Sequence, residues 1–169
     1  MLNQQANRAL VAFGLGVFIT FSQSHSADVG LVVLGVFGLL TGLSGTVIAL
    51  VRRGSGALQE LPMATLATLI GLFALLALGT ESGQPAAFKA LVAAWGLISG
   101  AFALYQARRL GFKDSSGRDH LISAVFALLL GILFLAVDLD IVSAVGFFGA
   151  YLALEGVHQG IAAATPKSK

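Results

Sequence analysis

The chain has 169 residues, of which 10 are Lys or Arg and 8 are Asp or Glu, so only 11% is charged. Soluble domains carry about 25% charged residues, whereas here 57% are strongly apolar and 21 are Gly. A soluble globule is therefore excluded, and the lipid bilayer is the expected partner. Cysteine is absent, which excludes disulfides, a thiolate nucleophile and a Cys-based zinc site. The net charge of +2 without a basic stripe argues against a nucleic-acid partner.

Six apolar segments, each flanked by polar or turn-forming residues, predict membrane-spanning helices. They cover about 6–21, 29–51, 62–78, 86–104, 120–137 and 141–164. Each is longer than a barrel strand of ~10 residues, and a backbone in hydrocarbon must satisfy its own hydrogen bonds. Asp28, Asp119 and Asp140 are predicted as N-caps, while Pro62 and Pro85 suit the start of a helix. The predicted fold class is an all-α polytopic membrane protein with six transmembrane helices.

The placement of cations predicts the orientation of the chain. With the N-terminus inside, nine cations lie on the cytoplasmic side and only Lys89 lies outside. The nine are Arg8, Arg52, Arg53, Arg108, Arg109, Lys113, Arg118, Lys167 and Lys169. Because Lys and Arg in short loops stay inside, both termini are predicted to be cytoplasmic.

The single domain 1–169 divides into three predicted repeats of a helical hairpin, at about 6–53, 62–110 and 119–164. The odd-numbered segments share Gly16-Val17-Phe18, Gly71-Leu72-Phe73 and Gly131-Ile132-Leu133. The even-numbered segments share Thr41-Gly42, Ser99-Gly100 and Glu155-Gly156, with Phe37, Trp95 and Tyr151 five positions before each glycine. A two-span unit keeps its orientation, so the repeats are parallel around a pseudo-threefold axis. The first segment also resembles a cleavable secretory signal, but it is needed to complete the first repeat.

From about residue 8 to residue 163, and above all in Trp95-Gly96-Leu97-Ile98-Ser99-Gly100, the chain resembles the HdeD-like acid-resistance membrane proteins. The resemblance implies a protein of the bacterial cytoplasmic (inner) membrane that is linked to acid stress or to no assigned process. It supplies no agreed catalytic residues to carry over. The chain departs from its own repeat pattern at Leu152, where the other copies have Gly38 and Gly96, and at Glu155, where they have small hydroxyls.

Small residues at three- and four-residue spacing give the even helices a face that allows close helix contact. The glycines concerned are Gly38, Gly42, Gly96, Gly100, Gly149 and Gly156. Such faces let backbones approach and gain dispersion contacts that lipid does not supply. Packing within one chain is the first interpretation, and formation of a homo-oligomer is the second.

A candidate intramembrane polar site lies on the last segment, where Tyr151, Glu155 and His158 have i, i+4, i+7 spacing. Glu155 lies about 4 Å and His158 about 9 Å from the middle of that helix. An ionised side chain near a helix centre costs ~2.5–3.5 kcal/mol, so it generally has a partner or a task. One interpretation is a proton or cation site. The other is a structural hydrogen bond, with Glu155 protonated or paired to His158. A metal site is not predicted, because the other spans supply no further ligand.

No nucleophile–base pair, phosphate-binding loop or cofactor motif occurs, so neither an enzyme nor a cofactor is predicted. The first functional prediction is a small non-catalytic integral membrane protein, stress-associated or an accessory part of a larger membrane protein complex. The alternative is a small transporter or proton/cation-conducting protein that uses Glu155, His158 and Tyr151. The two differ in whether this face points to a hydrated cavity on the threefold axis.

Overall fold

The protein is all-α, as predicted. The computed structural model describes residues 4–52, 59–80 and 82–165. In these residues the helices are α1 (Gln4–Phe21), α2 (Ala27–Arg52), α3 (Leu61–Ala77), α4 (Gln84–Leu110), α5 (Ser115–Ala136) and α6 (Ile141–Ala164). Of these, α2, α4, α5 and α6 are long and apolar enough to cross a membrane, while α1 and α3 are shorter apolar helices.

The outside of the bundle is covered with large apolar side chains. Phe21 is 82% exposed, and Leu76, Leu135 and Leu10 are each more than 60% exposed. Contiguous apolar surface on this scale is unstable in water but is what lipid tails contact. The helices therefore form a membrane-embedded bundle.

The connection between α4 and α5 differs from the prediction. Helix α4 runs on to Leu110 and α5 begins already at Ser115. The N-cap is Asp114, whose side chain accepts a hydrogen bond from the backbone N–H of Ser116 at 2.8 Å. Asp119 was predicted to fill this role, and that prediction is wrong because Asp119 lies inside α5. The polar first turn of α5 carried no hydrophobic signal from which its start could be located.

The other predicted caps divide between right and wrong. Asp140 caps α6 by accepting from the backbone N–H of Ser143 at 3.0 Å and from the Ser143 hydroxyl at 2.6 Å. These bonds stabilise the carboxylate and lower the pKa of Asp140, so the capping contribution is present at neutral pH and is lost in strong acid. Asp28 is not a cap: it lies in the first turn of α2, and the hydroxyl of Ser26 accepts from the N–H of Val29 at 3.4 Å instead.

The prolines lie where they were expected. Pro62 and Pro85 occupy the first turns of α3 and α4, where a missing N–H leaves no helical hydrogen bond unmade. The predicted repeat boundary at Arg53 and the terminal cations Lys167 and Lys169 lie outside the described residues.

Three antiparallel helix pairs make the closest contacts: α2 with α3, α4 with α5, and α6 with α1. In each pair a glycine of the odd helix lies against the backbone of the even helix. The contacts are Gly71 with Gly38, Gly131 with Leu97, and Gly16 with Ala153. These pairs cross the predicted repeat boundaries, because the small-residue face of each even helix is turned to the odd helix that follows it or, for α6, to α1.

The even helices α2, α4 and α6 run parallel and meet at the centre. Phe88 of α4 packs edge-on against Phe148 of α6, with ring centroids 5.7 Å apart, and Gly30 of α2 lies against both Phe88 and Val145. We call the end at which α1, α3 and α5 begin the basic end, and the opposite one the far end. The cations described at the basic end are Arg8, Arg108, Arg109, Lys113 and Arg118.

The far end is held by one ionic contact. Lys89, near the start of α4, donates to Asp138 at 3.3 Å and to the carbonyl of Leu139 at 3.1 Å. This contact ties α4 to the turn between α5 and α6. It is the sole salt bridge within the described residues.

Candidate functional site

A cavity of about 350 Å³ lies at the centre of the bundle. It extends from residues at the basic end, such as Gln5, Glu60 and Ser116, to Trp95 and Tyr151 halfway along α4 and α6. Every helix contributes to its lining. The polar side chains of this membrane-embedded bundle are thus gathered around a central space that opens at the basic end.

Two aromatic side chains, Trp95 and Tyr151, line the floor of the cavity, and Phe37 packs beside them. Phe37 packs edge-on against Trp95 with centroids 5.3 Å apart, and the indole N–H of Trp95 donates to the hydroxyl of Tyr151 at 3.2 Å. All three side chains are buried. They are the aromatics that precede the repeated glycines by five positions, and we call them the aromatic layer. Toward the far end from this layer the core is filled by apolar side chains such as Val92 and Phe148.

A polar layer made of Thr41, Ser99 and Glu155 lies one helical turn above the aromatic layer, on the side of the basic end. The four-residue offset from each aromatic places these side chains on the same face. The hydroxyl of Thr41 donates to the carbonyl of Phe37 at 2.6 Å. Ser99 and Glu155 are only 5% and 2% exposed, yet neither the Ser99 hydroxyl, which lies near that of Tyr151, nor Oε2 of Glu155 makes a well-formed hydrogen bond within the described residues.

These two unpartnered groups distinguish the polar layer from ordinary contacts between packed helices. A buried polar group left without a partner costs about 1–3 kcal/mol, and such groups in native proteins are rare. Both groups line the cavity. The two atoms themselves are covered by their neighbours, so a polar molecule or water in the cavity reaches them only when a lining side chain moves.

The partner of Glu155 is Gln159, not the predicted His158. Gln159 donates its amide to Oε1 of Glu155. His158 lies half-buried with its Nε2 3.0 Å from the backbone carbonyl of Asp119, and its ring packs edge-on against Phe126. The pairing of Glu155 with His158 is therefore wrong. Around the helix axis, Gln159 is rotated about 40° from Glu155 and His158 about 60° in the other direction. His158 is therefore turned toward α5 and away from the cavity.

Sequence reasoning missed Arg8, which it treated as a flanking cation. Arg8 lines the cavity, and its guanidinium carbon lies 5.6 Å from the ring centroid of Trp95. Such a cation–π contact stabilises by about 0.5–2 kcal/mol. The available signal was its position, since Arg8 lies inside the predicted segment 6–21 and is the fifth residue of α1. Arg8 and Glu155 are not paired with each other within salt-bridge distance.

The six predicted packing glycines lie away from the cavity lining, at helix contacts within the chain. A Cβ added at any of them would come closer than 3.0 Å to the neighbouring odd helix. Gly156, for example, lies against the backbone of Phe13 in α1, and Gly100 against Leu128 in α5. These positions hold the helix pairs together, and none of the six glycines lines the cavity.

Within the part of the chain that the structure describes, no three His, Asp or Glu residues are grouped as a metal site. No family model, curated protein or solved structure matches this chain. The polar cavity is therefore the feature from which a function can be argued.

Proposed function

We propose that this protein is a small non-catalytic integral membrane protein that binds a small polar solute in its central cavity and moves it across the membrane. This is the transporter that the sequence predicts as the alternative function. The proposed site differs from the predicted one, because Ser99 of the polar layer replaces His158 beside Glu155 and Tyr151. The observation that carries the proposal is the pair of buried, unpartnered groups on Ser99 and Glu155, at the bottom of a space open to one end.

The shape of the cavity favours a carrier over a pore. Ligand pockets span about 300–1,000 Å³, and a cavity of about 350 Å³ falls at the small end of this range. Below it the aromatic layer and the apolar core fill the centre, so a solute bound at the polar layer has no continuing path to the far end. Transport then requires the helices to rearrange around the site, which is how carriers with internal repeats work.

For the topology we propose six spans arranged as three tandem parallel repeats in the bacterial inner membrane, with both termini cytoplasmic. Helices α1 and α3 have 18 and 17 residues, about 26–27 Å at 1.5 Å per residue, close to the ~30 Å of the hydrocarbon core. The excess of cations at the basic end supports a cytoplasmic location for that end. The solute would then enter the cavity from the cytoplasm.

An accessory or stress-associated role, and the resemblance to HdeD-like proteins, stay predictions. The packing glycines are compatible with that role, but they are already occupied by contacts within the chain. The cavity supports solute binding more directly.

Solute binding is tested by thermal unfolding of the purified protein against a panel of small amines, carboxylates, amino acids and sugars. A ligand that binds the folded state raises the unfolding midpoint, by an amount equivalent to about 2.7 kcal/mol at 100 times its Kd. We expect at least one solute class to do so.

The controls for this panel are two variants that carry the same new side chain. Ala103→Phe places a ring on the side of α4 that lines the cavity, while Ala101→Phe places the same ring on the exposed side of α4. The first should remove the ligand effect and the second should keep it. If no solute raises the midpoint of the wild-type protein, the proposed function is wrong.

A further inference from the structure

Resting on the proposed function, we infer that the solute is a small zwitterion, which carries one ammonium and one carboxylate, held between Glu155 and Arg8. The two charged groups line the same cavity; Arg8 lies near Trp95, whose N–H donates to Tyr151 one helical turn from Glu155. The two groups have opposite signs, and each has bonding capacity that the described residues do not use.

Glu155 provides the site for the ammonium group. Gln159 occupies its Oε1 and leaves Oε2 free. A carboxylate oxygen accepts strong, short hydrogen bonds from a cationic N–H donor. The hydroxyl of Ser99, which lies near that of Tyr151, is in the same layer and can donate to or accept from the same ligand.

Arg8 provides the site for the carboxylate group. Its guanidinium carbon lies 5.6 Å from the ring centroid of Trp95, and a guanidinium carries five N–H donors in a planar fork. Among the described residues no hydrogen bond or salt bridge engages these donors. A guanidinium in the cavity wall that no described residue bonds is suited to bidentate binding of a carboxylate.

The separation of these charges favours a ligand that carries both signs. Glu155 and Arg8 line the same cavity more than 4.0 Å apart, so they do not pair directly with each other. A ligand with one charge would leave the other protein charge unpaired in a low-dielectric site, which is costly. A zwitterion also enters without adding net charge to the membrane interior.

A simple organic cation is the competing ligand, because two further acids, Glu60 and Asp119, line the mouth of the cavity. These lie at the basic end, where they attract a cationic group during entry. They do not explain why Arg8 is held at the floor over Trp95, where it repels a simple cation. The zwitterion accounts for both charges at the floor.

The protein contains one tryptophan, Trp95, so its fluorescence reports on the floor of the cavity. The full chain in nanodiscs is titrated with β-alanine and γ-aminobutyrate as zwitterions. Butylamine and butyrate serve as analogues that keep one charge each. We expect a saturable fluorescence change with at least one zwitterion, and binding about tenfold weaker or more for both analogues, because each lacks one charge-assisted contact.

Two variants assign the charges. Arg8→Gln should weaken zwitterion binding about tenfold or more and should leave butylamine binding unchanged or improve it. Glu155→Gln should likewise weaken zwitterion binding, and it should leave butyrate binding unchanged or improve it. If butylamine binds as tightly as the zwitterions, or if the panel yields a ligand of another class, the zwitterion inference is wrong while solute binding stands. If neither these compounds nor the panel bind, both proposals fail.

Discussion

Replacing Trp95 by alanine is expected to lower the free energy of unfolding by about 3–5 kcal/mol, the usual cost of truncating a large buried aromatic. Trp95 is 1% exposed. It packs on Phe37, donates to Tyr151 and supports Arg8. Its removal would leave a void between the cavity and the apolar core, and this is the largest loss that one side chain of the aromatic layer can produce.

Trp95→Phe is the matched control. This variant keeps an aromatic ring against Phe37 but loses the N–H that donates to the Tyr151 hydroxyl. The free energy of unfolding is therefore expected to fall by only about 0.5–1.5 kcal/mol, the contribution of one hydrogen bond. Thermal unfolding followed by circular dichroism compares the variants without relying on tryptophan fluorescence. Equal stability of the Ala and Phe variants would show that the ring does not close the floor.

Gly16→Leu is expected to separate α1 from α6 and to destabilise the protein by about 1–3 kcal/mol or more, as overpacking does. A Cβ at Gly16 would lie 2.5 Å from the backbone nitrogen and 2.8 Å from the Cα of Ala153. Backbone atoms in a helix cannot move aside as a flexible side chain can. Because the α1–α6 contact joins the first helix to the last, its loss also displaces Arg8 from the cavity.

Gly14→Leu tests the same substitution two residues away on the same helix. Gly14 is exposed, and an added Cβ would meet nothing within 4 Å. We expect this variant to unfold at the wild-type temperature and to elute as the wild type does on gel filtration. If the two leucine variants behave alike, close packing at Gly16 does not hold this helix pair.

The sequence predicted the features that follow from periodicity. Apolar runs located the helices, glycine spacing identified the contact faces, and the scarcity of charge singled out Glu155. The recurring aromatics, five positions before the glycine of Thr41-Gly42, Ser99-Gly100 and Glu155-Gly156, form the aromatic layer below the cavity. These features depend on residues that share one helix face, and one helix face can be read from a sequence.

The sequence did not predict features that depend on which helices meet. The choice of Gln159 over His158 as partner of Glu155 depends on where α5 lies. The role of Arg8 depends on the packing of α1 against α6, which brings it over Trp95 of α4, 87 positions further along the chain. Asp114 was missed for a simpler reason, since the polar first turn of α5 looks like a loop.

Solute binding requires that the polar layer is reached by water from the basic end and is sealed from the far end. Because the chain has no cysteine, one introduced thiol can be followed alone. Ser99→Cys lies in the polar layer, and Val92→Cys, 0% exposed in the core beyond the aromatic layer, is its control.

The measurement is labelling of these two variants in sealed vesicles by a membrane-impermeant cationic methanethiosulfonate applied to each side in turn. We expect the reagent to label Ser99→Cys only from the side of the basic end and to leave Val92→Cys unlabelled from either side. The proposal would be contradicted if Ser99→Cys stayed unlabelled from both sides, or if Ser99→Cys and Val92→Cys were labelled to the same extent.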